Sequence, residues 1–248
     1  MRSPYFYTAG KSPALEYAAK VLEDLGCSVS SQPNDSVSHL LLPAPAFEAP
    51  GILKGGVALA PILSQLPIDL TVIGGHLQDS SLSGYRSRDL LQDPLYLAEN
   101  ARITAYCAVQ IATAQMDMIL WDCPVLVIGW GRIGKCLCAL LKQMGALVTV
   151  GVRKEADRAM VLALGYDAIL LETPAYGLIR YRVIFNTAPA PVLTEEALAY
   201  CRPDCLRIDL ASQKGIAGDD TIWARGLPGK YAPESSGLLI AKSALRLR

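Results

Sequence analysis

Three glycines with the spacing G-x-G-x-x-G stand at the most informative point of the sequence. Gly129, Gly131 and Gly134 follow an apolar run typical of a β-strand and open a segment of helical period. In this arrangement the first glycine permits a tight turn, the second lets the backbone approach a pyrophosphate, and the third lets helix and strand pack closely. Because strand and helix are both present, we predict a dinucleotide-binding βα turn, with a purely structural turn as the alternative. The predicted turn consists of Gly129, Trp130, Gly131, Arg132, Ile133 and Gly134.

The end of the following strand indicates which dinucleotide is bound. A site for NAD places Asp or Glu about 20 residues after the glycines. Here the strand ends in Arg153 and Lys154, whereas Glu155 and Asp157 come later and are expected on the next helix. A guanidinium can bind a 2′-phosphate through two hydrogen bonds, so we predict NADP as the cofactor in preference to NAD. The alternative is a solvated basic strand tip.

Small and polar residues follow two later predicted strands, "RVIFNTAPAP" and "LRIDLAS". Asn186, Thr187, Asp209 and Ser212 would therefore lie at the carboxyl edge of a parallel sheet. Open α/β folds bind their ligands at this edge, which makes the four residues candidates for the site. As helix caps or turn residues they would have a structural role instead, and the sequence leaves both interpretations open.

The composition argues against several classes of protein. The 248 residues are 52% hydrophobic and 19% charged, and 23 Lys plus Arg balance 23 Asp plus Glu. Without a basic field or a long apolar span, we expect neither nucleic-acid binding nor membrane insertion. The seven cysteines form no C-x-x-C pair and only two histidines accompany them, so we predict free thiols and no metal site. Free thiols and the lack of a recognisable export signal favour a cytoplasmic location.

Short β-branched runs alternate with helical segments, which predicts an α/β protein of parallel sheets flanked by helices. Residues 1–96 are expected to form an α/β, flavodoxin-like substrate lobe that includes a helix around Ile52 to Leu66. Residues 97–248 are expected to form an NADP-binding Rossmann domain. A long helix from about Leu97 to Met118 would join the lobes, and a C-terminal helix from about Pro233 could pack on the first lobe.

Four stretches follow one another between about Val125 and Ala241: "VLVIGWGRIGKCLCALLKQMGALVTVGVRK", "IFNTAPAPVLTEEAL", "IDLASQKG" and "GLPGKYAPESSGLLIA". This succession resembles the family of the dipicolinate synthase A subunit, part of a bacterial sporulation enzyme. The N-terminal "HLLLPAPAF" and "TVIGG" look similar to the same family but are less specific. The ordered set of turns is far more specific than the glycine spacing alone.

The resemblance implies two Rossmann-like lobes joined by a long helix, with the architecture of D-2-hydroxyacid dehydrogenases. It also implies an NADP-linked oxidation of a cyclic, dihydropyridine-type dicarboxylate to dipicolinate, and it implies that the partner is a flavoprotein B subunit. Assembly into a homo-oligomer is left open. By carry-over, Gly129 to Gly134 would hold the pyrophosphate, Arg153 would bind the 2′-phosphate, and Gly226 to Gly229 would form a neighbouring loop. The residues expected on the nicotinamide side are Asn186, Thr187, Ala188, Leu210, Ala211 and Ser212.

The chain departs from the family pattern at two places. Where the family has a Thr-x-Glu-Gly turn, residues Thr104 to Cys107 are Thr-Ala-Tyr-Cys. After Asp-Leu-Ala-Ser, where the family continues with Pro-Gly-Gly, residues Gln213 to Gly215 are Gln-Lys-Gly. These differences concern recognition of the substrate rather than binding of the cofactor.

The sequence offers few candidates for catalysis. Ser212, Lys214 and Thr104 are expected to anchor substrate carboxylates, and His76 could donate a proton. Because aromatisation of a dihydropyridine ring is favourable, the reaction needs no strong general base. A D-2-hydroxyacid dehydrogenase needs a histidine base in the late loops, but His39 and His76 both fall in the first lobe. A non-catalytic, nucleotide-binding regulatory subunit is the remaining alternative.

Overall fold

The computed structural model describes residues 4–171 and 177–247 of the chain. The chain divides into two compact units, Met1–Ile103 with Pro228–Arg248, and Thr104–Leu227. Each unit contains a parallel β-sheet, and helices alternate with the strands along the chain. The predicted α/β class with two parallel-sheet lobes is therefore confirmed.

In chain order, the strands are β1 (Tyr5–Thr8), β2 (Ser28–Ser30), β3 (His39–Leu41), β4 (Phe47–Ala49), β5 (Ile52–Leu53), β6 (Val57–Ala58), β7 (Thr71–Gly74), β8 (Arg86–Asp89), β9 (Pro124–Ile128), β10 (Leu147–Val152), β11 (Asp167–Leu170), β12 (Val183–Asn186), β13 (Leu206–Asp209) and β14 (Ile222–Trp223). The α-helices, in the same order, are α1 (Pro13–Asp24), α2 (Ala60–Leu63), α3 (Pro94–Gln115), α4 (Arg132–Gln143), α5 (Glu155–Ala163), α6 (Glu195–Leu198), α7 (Leu227–Tyr231) and α8 (Pro233–Leu247).

The first unit is built on a five-stranded parallel sheet with the order β2-β1-β3-β7-β8. Phe6, Leu41 and Ile73 on the central strands are buried in a core to which α1 and α8 also contribute. The edge strand β8 has the sequence "RSRD" and is largely exposed, so it lacks the apolar signal by which strands are predicted.

The predicted helix around Ile52 to Leu66 is wrong. This part of the chain forms β5 and β6 of a small antiparallel sheet, followed only by the short helix α2. Gly51, Gly55 and Gly56 have φ values of 69°, 82° and 72°, a left-handed conformation that a right-handed helix cannot contain. The apolar residues follow a helical period, but the glycines between them require turns.

The long helix is present but begins and ends earlier than the prediction of Leu97 to Met118. Its start at Pro94 is set by Asp93, whose carboxylate accepts hydrogen bonds from the backbone N–H groups of Leu95 at 3.2 Å and Tyr96 at 3.1 Å. Proline at the first helical position fits this start, because its missing N–H would have no partner there.

The two compact units differ from the predicted ranges, 1–96 and 97–248. The division falls inside α3, between Ile103 and Thr104, and the residues from Pro228 onward group with the first unit. The physical reason is the packing of α8 on α1, which joins the end of the chain to its beginning.

The second unit contains a six-stranded parallel sheet with the order β11-β10-β9-β12-β13-β14. Numbered from β9, this is the Rossmann order 3-2-1-4-5-6. The order reverses between β9 and β12, which pair in register from Val183 with Val125 to Asn186 with Ile128. Ligands of such sheets bind at the carboxyl ends of the strands on either side of this reversal.

None of the helices within the described residues is long and apolar enough to cross a membrane. The same part of the chain contains no group of three or more His, Cys, Asp or Glu side chains placed to hold a metal ion.

Helices α1 and α8 cross at Gly237. A Cβ atom at this position would lie 2.5 Å from Tyr17 Cβ and 2.6 Å from the carbonyl oxygen of Ala14. Both distances are far inside van der Waals contact, so only glycine allows the helices to approach this closely.

We predict that Gly237→Ala destabilises the protein, although alanine is the better helix former by about 1 kcal/mol. The added methyl would force the helices apart, at a cost of about 1–3 kcal/mol for overpacking. The midpoint of urea unfolding measures the effect. Ser235→Ala is the control. Ser235 is exposed on the same helix, so this substitution should raise stability through helix propensity without a packing cost. A Gly237→Ala protein more stable than the Ser235→Ala protein would contradict the packing argument.

Candidate functional site

The turn between β9 and α4 is held by very close backbone contacts. Gly129 has a φ of 104° and donates its N–H to the carbonyl oxygen of Gly151 at 2.9 Å. A Cβ at Gly129 would lie 2.5 Å from Thr187 Oγ1, and a Cβ at Gly134 would lie 2.2 Å from the Gly129 carbonyl oxygen. The first and third glycines of the motif are therefore required by the fold itself.

Gly131 has a different environment. A Cβ built on it would meet no atom within 4 Å. The residue occupies the N-cap position of α4, where the first backbone N–H groups have no acceptor within the helix. Open space in front of a helix N-terminus suits a phosphate, because the N–H groups and the helix dipole both attract an anion.

A cavity of about 310 Å³ adjoins this turn. Its volume lies in the range of small-molecule sites. The residues lining it are Gly129, Trp130, Gly131, Gly151, Val152, Arg153, Lys154, Asp157, Leu171, Thr187, Ala188 and Pro189. It lies entirely within the second unit, at the reversal of strand order between β9 and β12.

The basic strand tip forms part of this cavity. Arg153 and Lys154 follow β10 directly and are exposed, so their charged groups are accessible to a ligand. Asp157, in the first turn of α5, is half-buried and lines the same cavity. The site thus offers two cations and one carboxylate at the position that distinguishes the two pyridine dinucleotides.

Asn186 and Asp209 are the last residues of β12 and β13, and together they form a buried network. Both side chains are fully buried, and Asn186 Nδ2 donates to Asp209 Oδ1 at 3.0 Å. The carboxylate also accepts backbone N–H groups from Ala211 at 3.0 Å, Gly215 at 2.6 Å and Ile216 at 2.9 Å. Four donors compensate the buried charge. These four hydrogen bonds of the carboxylate are thus made within the protein, to Asn186 and to the loop after β13.

Thr187 joins the two strands that flank the reversal. Its backbone N–H and its hydroxyl both donate to the carbonyl oxygen of Ile128, at 2.8 Å and 3.0 Å. This double contact keeps the β12 turn directly against Gly129. The small side chain at this position thereby contributes one wall of the cavity.

Trp130, between the first two glycines, lines the cavity and also contacts Tyr166 and Lys135. It packs edge-on against Tyr166 with the ring centroids 5.9 Å apart, and Lys135 Nζ lies 5.7 Å from the indole centroid. These contacts hold the indole beside α4. Burial raises the pKa of Tyr166 and raises that of Cys138, within α4, to about 12, so neither group is ionised at neutral pH.

Seven of the residues predicted for the cofactor line the 310 Å³ cavity: Gly129, Trp130, Gly131, Arg153, Lys154, Thr187 and Ala188. Arg132, Ile133 and Gly134 form the first turn of α4. Leu210 and Ala211 are buried directly after β13. Asn186 is fully buried and is not among the residues that line the cavity.

The four candidate catalytic residues lie on three separate segments of the chain. Ser212 and Lys214 are exposed in the loop after β13, and Lys214 Nζ donates to the carbonyl oxygen of Gly218 at 2.9 Å. Thr104 lies buried in α3. His76, in the first unit, follows β7 with a φ of 55° and donates its backbone N–H to Asp89 at 3.1 Å. None of the four is among the residues lining the 310 Å³ cavity.

Five residues of the cavity were not predicted from the sequence: Gly151, Val152, Asp157, Leu171 and Pro189. Gly151 had a detectable signal, because a glycine inside a strand often marks a close approach. A Cβ there would lie 2.9 Å from Leu171 Cδ2. The remaining four give no such signal in the sequence.

The comparisons with known proteins agree with the resemblance inferred from the motifs. The chain is 23% identical over 240 residues to the dipicolinate synthase A subunit of Bacillus subtilis (strain 168), covering 89% of this chain and 81% of that protein. The crystal structure of the dipicolinate synthase A subunit from Bacillus halodurans superimposes on this chain with a TM-score of 0.85. The two sequences are 21% identical, and the superposition covers 98% of this chain and 97% of that one. The predicted resemblance is confirmed. No family model matches the chain.

A more distant structure bears on the architecture. The apo-structure of D-lactate dehydrogenase from Escherichia coli superimposes with a TM-score of 0.58, at 12% identity, over 98% of this chain and 95% of that one. The predicted fold, like that of D-2-hydroxyacid dehydrogenases, is therefore confirmed. The chain thus shares the fold of D-lactate dehydrogenase and is similar to the A subunit of dipicolinate synthase.

We predict that Gly131→Ala and Gly134→Ala separate folding from nucleotide binding. The Gly131 methyl enters open space, so stability should stay within about 0.5 kcal/mol of wild type while the affinity for NADPH falls by about tenfold or more. The Gly134 methyl collides with the Gly129 carbonyl oxygen, so stability and binding should both fall. Urea unfolding and calorimetric titration provide the two readouts. Unchanged NADPH affinity in the Gly131→Ala protein would show that the turn is only structural.

We also predict that Asp209→Asn lowers the free energy of unfolding by about 2–4 kcal/mol, because an amide would replace an acceptor that four donors require. Asp219→Asn, on the exposed loop that follows, is the matched control and should stay within about 0.5 kcal/mol of wild type. Denaturant unfolding at neutral pH measures both. Equal stabilities of the two variants would exclude the structural role assigned to Asp209.

Proposed function

We propose that the chain is the NADP-binding subunit of an oxidoreductase that oxidises a dihydropyridine-type dicarboxylate to dipicolinate. The observation that carries this proposal is the cavity at the glycine turn, which begins at the N-terminus of α4 and extends to Arg153 and Lys154. The similarity to the dipicolinate synthase A subunit supports the choice of substrate.

The residues present fit a pyridine dinucleotide. The free space at Gly131 suits the pyrophosphate, and the N–H groups of the first turn of α4 would bind its oxygens. Arg153 and Lys154 would bind the 2′-phosphate, with the guanidinium able to form two parallel hydrogen bonds. The carboxylate of Asp157 would weaken the preference for NADP over NAD, because it would repel the same 2′-phosphate.

When bound, the nicotinamide would accept a hydride from the substrate ring. The chain itself would orient the ring and bind its carboxylates, while the proton released on aromatisation leaves to solvent. Ser212, Lys214 and Thr104 stay the residues proposed for this binding. His76, predicted from the sequence as a proton donor, has no step in this oxidation, because the reaction releases a proton rather than taking one up. Lys214 would have to exchange the Gly218 carbonyl oxygen for a substrate oxygen.

We propose a flavoprotein B subunit as the partner, as the resemblance implies. We propose the cytoplasm as the location, as the free thiols imply. All seven cysteines are free, and five of them are buried. Binding of NADPH without turnover, with and without such a flavoprotein, would instead support a nucleotide-binding regulatory subunit.

We predict that Arg153→Ala weakens NADPH binding by about tenfold or more and leaves NADH binding nearly unchanged, since only NADPH carries the phosphate that Arg153 would bind. Asp157→Asn should tighten NADPH binding. Arg158→Ala is the control, because Arg158 is an exposed cation that pairs with Glu155 and does not line the cavity. Calorimetric titration with both nucleotides measures the effects.

Two outcomes would contradict the cofactor assignment. The first is tighter binding of NADH than of NADPH by the wild-type chain, which would make Asp157 the deciding residue. The second is equal loss of NADPH affinity in the Arg153→Ala and Arg158→Ala proteins, which would indicate a general effect of charge.

A further inference from the structure

A second cavity in the second unit lies beside helices α4 and α5, and its volume is about 420 Å³. The residues that line it are Trp130, Lys135, Met160, Leu164 and Tyr166. Trp130 lines the nucleotide cavity as well, whereas the other four do not. We call this cavity the Trp130–Tyr166 groove. All of its lining residues belong to Thr104–Leu227, so the groove lies within one compact unit.

Two aromatic rings form adjacent walls of the groove. The ring planes of Trp130 and Tyr166 are inclined at 67°, with the centroids 5.9 Å apart. Lys142, near the end of α4, holds the second wall in place. Its Nζ lies 4.6 Å from the Tyr166 centroid and donates to the carbonyl oxygen of Gly165 at 2.8 Å. A planar ring that stacks on one wall can therefore meet the other edge to face, in the geometry that aromatic pairs prefer.

The opposite side of the groove is apolar and open to solvent. Met160 and Leu164 are 55% and 52% exposed, and their spacing of four residues places them side by side at the end of α5. Neighbouring apolar side chains at a surface mark binding sites, and a thioether adapts readily to the shape of a ligand. A ligand that covers these two side chains would remove apolar surface from water, which is favourable.

The charge in the groove is positive. Among the described residues that line it, Lys135 alone is charged. The Lys135 ammonium lies 5.7 Å from the indole centroid of Trp130, and it forms no ion pair within residues 4–171 and 177–247. An exposed ammonium beside an aromatic wall attracts an anion and repels a cation. The groove is therefore complementary to a ligand that combines an aromatic ring with a negative charge.

We propose that the Trp130–Tyr166 groove binds a planar aromatic carboxylate, with its ring against Trp130 and Tyr166 and its carboxylate at the ammonium of Lys135. The inference goes beyond the proposed function, because it requires neither the nucleotide nor the loop after β13. The aromatic product of the proposed reaction belongs to this chemical class, whereas the dihydropyridine precursor is not aromatic.

The test is a titration of the full chain with benzene-1,3-dicarboxylate in the absence of nucleotide, followed by the indole N–H signals in ¹⁵N–¹H NMR spectra. The chain has three tryptophans, and Trp130→Phe identifies the signal of Trp130 by its loss. That signal should shift to saturation during the titration. The Trp223 signal should stay in place, because Trp223 lies on β14 at the far edge of the sheet from β11, which Tyr166 directly precedes.

A saturated ligand separates the contribution of the ring from that of the charge. cis-Cyclohexane-1,3-dicarboxylate carries the same two carboxylates as benzene-1,3-dicarboxylate but has no aromatic ring. It should bind to the wild type about fivefold more weakly, because it cannot stack on the indole or the phenol.

Side-chain variants test the two kinds of contact. Lys135→Met should weaken binding of benzene-1,3-dicarboxylate about tenfold, because the charge-assisted contact is lost. Lys242→Met, at an exposed lysine on α8, is the matched control and should bind as the wild type does. Tyr166→Leu should weaken binding about fivefold, whereas Tyr166→Phe keeps the ring and should keep the affinity.

Three results would overturn the proposal: no saturable shift of the Trp130 signal, equal affinities of the wild type for the aromatic and saturated dicarboxylates, or equal affinities of the Lys135→Met and Lys242→Met proteins. A shift of the Trp223 signal with the same affinity as that of Trp130 would also overturn it. The Trp223 Nε1 donates to the carbonyl oxygen of Ala211, so such a shift would indicate binding at the loop after β13. The wild-type measurements do not depend on any variant folding, and none of these results bears on NADPH binding.

Discussion

The close backbone approach between Gly134 and Gly129 is the constraint on which the nucleotide site depends. Side chains are excluded there because a Cβ at Gly134 would lie only 2.2 Å from the Gly129 carbonyl oxygen. This contact draws the N-terminus of α4 onto the end of β9 and leaves the helix N–H groups facing open space at Gly131. A site for an anion therefore results from packing between helix and strand.

The buried Asp209 carboxylate is the second element that the site requires. Its four donors join the ends of β12 and β13 to the loop that carries Ser212 and Lys214. A charge buried in this way is stable only while all its partners remain. The residue is therefore a positioning residue, and the loop can carry polar side chains because its backbone is already fixed.

Prediction from the sequence succeeded where local signals and tertiary contacts agree. The glycine turn and the basic tip at Arg153 and Lys154 carry a local pattern, and the structure places them on one cavity. Prediction failed at Ile52 to Leu66, where apolar spacing of helical type is overridden by glycines with positive φ. It also missed β8, whose exposed polar residues show no strand periodicity.

The sequence by itself determined the α/β class, the glycine turn and the charge at the end of β10, because each depends on residues close together along the chain. Only the tertiary structure decided that Gly237 sits where α1 and α8 cross and that Asp157 shares the cavity with Arg153. The physical reason is that these pairings follow from how sheets and helices pack. Contacts between residues far apart in sequence leave no periodic signal in the chain.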